Sequence, residues 1–417
     1  MGPIALFDKS FLQALSLDEA VWFDHFFIAN VAPLFFVETL ADLEKAVKEG
    51  RTAEDEVGQL AEKTPVMGGA PSTNHVDMGI SELLGRRVPM TGQIPVAGGQ
   101  FVRSGAKTGV VFKGLPEAEA FSRWQRREFL VVERRFARAW REALATIDLA
   151  KVAERLRGVG IDATTCRSLA EAHAIARQVV ATTDRPFERI GLAIAALGAP
   201  RAIHQPIIER WITAGKPALI EYAPYVAHIV TVEAFFQIAL ASHLIGTERS
   251  SNLADIAYLF HLPHCMLFVS GDRLHQRCAP LFLRPNQDFI WAADMKAELS
   301  RVNQIFSALP DGTKDTGIMS FARFPPGDDS TLLSRLWDRH FPGYRERLAG
   351  SGVYEPVRNE KLVAELRAMS EGAPLSSQEV DFDPNDPDSL VIERIVSRKR
   401  GSWWQIPKDL QVDPDDE

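Results

Sequence analysis

Ile4-Ala5-Leu6-Phe7-Asp8-Lys9-Ser10-Phe11-Leu12 opens the chain with four consecutive apolar residues that stop at an acid. An unbroken run this short has the length of a strand buried on both faces, as in a parallel sheet. Ser16 and Glu19 follow with the spacing of a capping box, and Val21, Trp22, Phe26 and Phe27 continue it as an apolar face. This pattern predicts a helix from Leu17 to Ile28. Val31 to Val37, interrupted by Pro33, reads as a second short strand that passes into a helix at Glu38. That helix carries Leu40, Leu43 and Val47 on one face.

Working outward, residues 49–224 change character. Glycine and proline punctuate Gly50 to Val111 densely, which predicts loops with short strands. A long helical region is expected over Pro116 to Gly158, with more helix as far as Ala214. The compact pattern returns in residues 225–309. An apolar helix spans Val230 to Leu244, and a short one, capped by Asn252 or Ser251, spans Asn252 to Phe260. Met266 to Val269 reads as a buried strand, Ser270-Gly271-Asp272 as a turn, Leu274 to Leu283 as a helix and Phe289 to Ala292 as a last strand. The expected organisation is therefore a split core, residues 1–48 and 225–309, around a mainly helical insertion. A helical extension occupies 310–371 and an acidic, flexible tail 372–417. In the tail, Trp403-Trp404 and Ile406 form an apolar patch expected to dock on this or another chain.

The 417 residues are 46% hydrophobic and 24% charged, an ordinary globular composition that excludes a disordered, collagenous or rod-like chain. The net charge of −8 belongs largely to the tail, because 11 acids and 5 bases lie from Glu379 to Glu417. The near-neutral body argues against broad nucleic-acid coating, and it leaves a local basic track and a homodimer open. Three cysteines make no disulfide framework and point to a reducing compartment. No basic n-region precedes an apolar run, and Tyr225 to Ile245 contains His228, Glu233, Gln237 and His243. The expectation is a cytoplasmic protein with no membrane partner and a buried helix there.

Four acids stand at element ends: Asp8, Glu38, Asp255 and Asp272. Ligands of open α/β sheets bind outside the carboxyl ends of the strands. Carboxylates converging there repel one another unless a cation neutralises them, and Mg²⁺ or Mn²⁺ suits such hard oxygen donors. Such a site can activate water against a phosphodiester. Each acid also has a plain structural reading. Asp8 caps a helix, Glu38 sits near a helix dipole, Asp255 lies on a helix surface and Asp272 forms a turn beside Gly271.

These residues resemble a known family. Ile4 to Leu12 is similar to the opening strand of a PIN domain, with its Asp followed two residues later by Ser or Thr. Pro33 to Glu38 is similar to the second strand and its helix-starting Glu. Asp255-Ile256-Ala257 resembles the third acidic position, with Glu233 and Glu248 as competitors, and Phe268-Val269-Ser270-Gly271-Asp272 resembles the fourth. The resemblance covers about a third of the chain, and the gap between the second and third acids is much longer than in compact PIN domains. It implies a PIN-like three-layer α/β/α core with a central parallel sheet. It also implies a metal-dependent endonuclease, a hydrolase of single-stranded RNA, whose Mg²⁺ or Mn²⁺ is held by Asp8, Glu38, Asp255 and Asp272. Ser10, Asn252 and Ser270 are expected around those ligands.

Two further groups bear on partners and cofactors. Arg123, Arg126, Arg127 and Arg134, with Trp124, Phe129 and Phe136 interleaved, offer a phosphate track with stacking faces, or a solvated face of ion pairs with Glu128, Glu133 and Glu142. His261, His264, Cys265, His275 and Cys278 invite a zinc reading, which fails for want of paired spacing. Asp294 reads as a helix cap. Two alternatives to the nuclease stay in view: a catalytically inactive scaffold that binds nucleic acid or protein, and a small-molecule phosphohydrolase.

Overall fold

The computed structural model describes residues 2–45, 50–112, 116–158, 166–182, 184–327, 330–349, 356–376, 390–392 and 396–410. Its strands, in chain order, are β1 Ile4–Phe7, β2 Ile28–Val31, β3 Gly69–Pro71, β4 Gln100–Ser104, β5 Lys107–Phe112, β6 Leu267–Ser270, β7 Asp288–Trp291, β8 Ala373–Pro374, β9 Leu390–Ile392, β10 Lys399–Arg400 and β11 Trp403–Trp404. Among the described residues the central sheet has five strands in the order β3-β2-β1-β6-β7. All are parallel, with Leu6 opposite Asn30 on one side and Phe268 on the other.

Side chains alternate across a strand, so each apolar run serves two cores. Ile4 and Leu6 of β1 and Phe268 of β6 face one, built around the helix Pro224–Ala241. Ala5 and Phe7 of β1 and Leu267 and Val269 of β6 face the other, which holds Trp22, Phe23, Phe26 and Phe35. Helices thus cover both faces of the sheet, compatible with a three-layer α/β/α core. Each buried large apolar side chain contributes roughly 1.5–3 kcal/mol by leaving water. The helix Pro224–Ala241 is long and apolar enough to cross a membrane, but most of it is buried against the first core.

Local chemistry fixes the element ends. Ser16 and Glu19 make the expected capping box, with Oγ and Oε2 accepting at 3.2 and 2.7 Å, and the helix runs Leu17–Phe26. Pro33 does not interrupt a strand. It occupies the first turn of the helix Pro33–Leu40, where its fixed φ suits and its missing N–H costs nothing. The second strand therefore ends at Val31, and Glu38 lies near the end of that helix instead of starting one. Leu43 falls in a following 3₁₀ turn, Ala41–Glu44, and Val47 lies outside the described residues.

Three further expectations are corrected. The third strand of the central sheet, β3, comes from the segment assigned to the insertion, so the core extends past residue 48. The long helical stretch is three helices: Pro116–Gln125, Val131–Thr146 and Leu149–Gly158. Part of the tail is built into the structure. β8 and β9 flank the β4–β5 hairpin in a second sheet, and β10–β11 forms a hairpin whose Trp403 is buried in the second core. The rest of the acidic tail, 377–389, 393–395 and 411–417, lies outside the described residues.

Candidate active site

From β1 the chain winds to β2 and β3 on one side, then returns to β6 and β7 on the other. The strand order reverses between β1 and β6, and the crevice outside their carboxyl ends is the usual ligand position of such sheets. Asp8 is the first residue beyond β1; Ser270 ends β6, and Asp272 follows two residues later.

Asp8 caps the helix Lys9–Ala14, its Oδ1 accepting from the Phe11 N–H at 3.0 Å. Its Oδ2 accepts from Ser10 Oγ and from Ser270 Oγ, both at 2.7 Å, and lies 3.4 Å from His275 Nδ1. Ser270 Oγ in turn accepts from the Asp272 N–H at 2.9 Å, and Ser10 Oγ from the Gly271 N–H at 3.1 Å. The two serines therefore lace the ends of β1 and β6 together. Glycine at 271 permits the approach: a Cβ there would stand 3.1 Å from Ser10 Oγ and 3.3 Å from Ala292 Cβ.

His275 is fully buried, and its two ring nitrogens face different partners. Nε2 lies 2.6 Å from the Asp255 carbonyl oxygen, which can only accept, so Nε2 carries a hydrogen. Nδ1 lies 2.8 Å from Ser270 Oγ and 3.4 Å from Asp8 Oδ2. This setting favours the imidazolium. Burial opposes that charge, but the bond and charge of Asp8 and the Asp255 carbonyl outweigh it and push the pKa up to about 9. Burial likewise disfavours the Asp8 carboxylate, and His275, Ser270 and Ser10 together hold its pKa below the ordinary value.

The other acids are less well compensated. Burial raises the pKa of Glu38, partly offset by Lys9 and by Tyr258, whose Oη donates to Glu38 Oε2 at 2.7 Å. Burial also raises Asp255, to about 7; His275 opposes this, while the charges of Asp272, Glu38 and Asp8 add to it. Glu233 is raised by burial, and Glu248 is exposed on a loop.

The structural readings hold for some of these groups at the same time. Asp272 caps the helix Arg273–Cys278, its Oδ1 accepting from Leu274 N–H at 2.6 Å. Asn252 neither caps its helix nor orients Asp255; its amide closes the preceding loop onto the Gly246 carbonyl at 2.9 Å. Asp294 is an exposed first-turn residue of the helix Ala292–Ser307, not its cap.

Among the described residues, no three His, Cys, Asp or Glu side chains stand close enough together to hold one ion as direct ligands. Mg²⁺ keeps several waters and takes one or two carboxylates; within this group of acids, burial raises the pKa of Glu38 and of Asp255. Burial pushes the Cys265 and Cys278 thiols up to about 12.

The arginines are engaged elsewhere. Arg123 pairs with Glu133, Arg126 with Glu128 at 3.1 Å, Arg127 with Glu62 and Asp55, and Arg134 with Glu54 at 2.7 Å. Trp124 is buried, while Phe136 is exposed. These pairs fasten the helices Pro116–Gln125 and Val131–Thr146 to the core and balance the charge that a phosphate track would need. In the structure these arginines take the ion-paired arrangement, one of the two readings of the sequence.

His275, Tyr258 and Lys9 are the members that the sequence reading did not assign to the site. Leu274, His275 and Cys278 line the buried side of one short helix, and a histidine on an apolar helix face ordinarily reads as core. Comparison with protein-family models, curated proteins and solved structures returned no match.

Proposed function

We propose that the protein is a PIN-like, Mg²⁺- or Mn²⁺-dependent nuclease that hydrolyses phosphodiester bonds in single-stranded RNA. One observation carries this reading. Ser270 Oγ donates to Asp8 Oδ2 at 2.7 Å and accepts from the Asp272 N–H at 2.9 Å, so two of the acids stand beside each other at the carboxyl ends of β1 and β6, where the strand order reverses. Glu38 and Asp255 are the residues to hold the ion, which supplies an activated water and charge neutralisation at the leaving oxygen. Asp8 and Ser270 fix the ends of β1 and β6, and Asp272 anchors the helix that carries His275. RNA as the substrate rests on the resemblance of the motifs.

The test is cleavage of labelled single-stranded RNA, single-stranded DNA and duplex DNA with Mn²⁺, Mg²⁺ or EDTA. RNA cutting that needs metal and disappears in E38Q/D255N is expected; cutting that survives in that variant refutes the site. A second reading, an inactive PIN-like scaffold, is favoured by the saturation of Asp8, whose oxygens are already taken by Phe11, Ser10, Ser270 and His275. Calorimetry with Mn²⁺ separates the two, since a scaffold of this kind binds no ion.

A further inference from the structure

A surface helix ordinarily turns its apolar face to the body of the protein and its charges to water. The helix Val131–Thr146 does the reverse. Its Arg134, Arg138 and Arg141 pair with Glu54, Glu44 and Asp42 of the body, and Ala137, on the same side, is its one buried residue. On the opposite side stand Val132, Phe136, Ala139 and Ala143, all exposed; Val132 leaves 65% of its surface in water and Phe136 44%. Steps of four, three and four residues place these side chains on one seam, the spacing by which two helices interlock. A contiguous apolar stripe of this kind marks an interaction surface.

We propose that this stripe is a homodimer interface, on which the same helix of a second copy packs antiparallel about a two-fold axis level with residues 137 and 138. A two-fold interface must be complementary to itself, and this face is so in size and in charge. In that register Val132 lies opposite Ala143 of the partner subunit, and Phe136 opposite the partner's Ala139, so a large side chain meets a small one at each step. Arg135 and Glu142 flank the stripe on one side, both exposed and neither in an ion pair among the described residues. The two-fold axis sets Arg135 beside the partner's Glu142 and repeats the pair. A parallel arrangement would set Phe136 against Phe136 and Ala143 against Ala143, and would leave both charges without an opposite. A lipid surface would favour a cationic rim, whereas this flank carries one charge of each sign. Neither the ion nor the nuclease chemistry enters this interface.

Sedimentation velocity of the full chain across a concentration series tests this, and a monomer–dimer equilibrium is expected. F136E and A139E each put an unpaired charge into the seam and should weaken dimerisation at least about tenfold. Both positions are exposed, so circular dichroism and urea titration of the variants should match the wild type. R135E sets Glu against Glu142, and E142R sets Arg against Arg135; each should also weaken the homodimer, by about tenfold. An equimolar mixture of R135E and E142R should form heterodimers, and R135E/E142R should dimerise as the wild type does. A wild-type chain that stays monomeric at its highest soluble concentration overturns the proposal. So does a dimer indifferent to F136E and A139E, or a charge reversal that neither the mixture nor the double variant restores. Binding of phosphatidylserine vesicles by a monomeric chain, lost in F136E, would overturn it too and assign the face to a lipid surface.

Discussion

At the scale of single residues, the site is governed by unequal compensation of charge. Asp8 has four protein donors within reach, whereas Asp255 is opposed by three other carboxylates and helped mainly by His275. A carboxyl with a pKa of about 7 holds a proton at mildly acidic pH, and an incoming cation must displace it. Mn²⁺ affinity is therefore expected to fall as pH drops below 7, by up to about tenfold per unit, and to level off above pH 8. Calorimetry from pH 5.5 to 8.5 reads this directly. An affinity flat across that range contradicts the assignment of Asp255 as a ligand. In D255N the slope should flatten, leaving only what Glu38 contributes.

At the scale of elements, two features show how structure adds to pattern. The helix Val131–Thr146 is held by arginine–carboxylate pairs between side chains that are largely exposed, such as Arg134 with Glu54. Exposed pairs contribute about 0–1 kcal/mol each. Arg134→Ala is thus expected to lower stability by less than about 1 kcal/mol in urea titration and to leave RNA affinity unchanged. An affinity loss of tenfold or more would restore the phosphate-track reading. The β10–β11 hairpin is a stronger fastening. Trp403 packs 4.7 Å from Trp22, both indole N–H groups donate to Asn303 Oδ1 at 2.9 Å, and Arg400 ties Asp24 to the Glu62 and Thr64 carbonyls. Trp403→Ala is expected to cost about 3 kcal/mol. Truncation after Ser370 with no loss of stability would show the clasp to be dispensable.

The same elements show what could be read from sequence alone. Ile4–Phe7 and Leu267–Ser270 announce themselves, because strands buried on both faces must be continuously apolar. The capping box at Ser16 and Glu19 is equally legible, because its bonds are local. β3 is not, since Gly69-Ala70-Pro71 carries no apolar run and is a strand only because β2 pairs with it. Pro33 reads from sequence as interrupting a strand, whereas it starts a helix, and the difference moves Glu38 from one end of its helix to the other. Spacing suggested the four acids. The role of His275 was hidden, because it depends on Ser270, Asp8 and the Asp255 carbonyl meeting in three dimensions. The docking of Trp403 was anticipated, but Asn303 as its anchor depends on a contact across 100 residues of chain.

At the scale of the whole molecule, buried histidines set the response to acid. Burial depresses His75 and His228 to about 4 and His264 to about 3, and holds His261 well below its ordinary value. A base whose folded pKa lies below its unfolded value of about 6.5 binds fewer protons when folded, so stability rises with pH between those values. Asp255, raised above its unfolded value, works in the opposite sense between about pH 4 and 7. His75, His228 and His264 together outweigh it. Stability from urea titration should accordingly fall as pH drops from 6.5 towards 4. The fall should steepen in D255N, where the opposing contribution is removed. Stability constant or rising over that window contradicts the burial of these rings.

The most direct test of the central claim is the cleavage assay with labelled single-stranded RNA, comparing the wild-type chain with E38Q/D255N in Mn²⁺ and in EDTA. The account predicts cutting by the wild type in Mn²⁺ only, and none by the variant. Cutting that persists in EDTA or in the variant, or a wild-type chain that binds Mn²⁺ and cuts nothing, contradicts it.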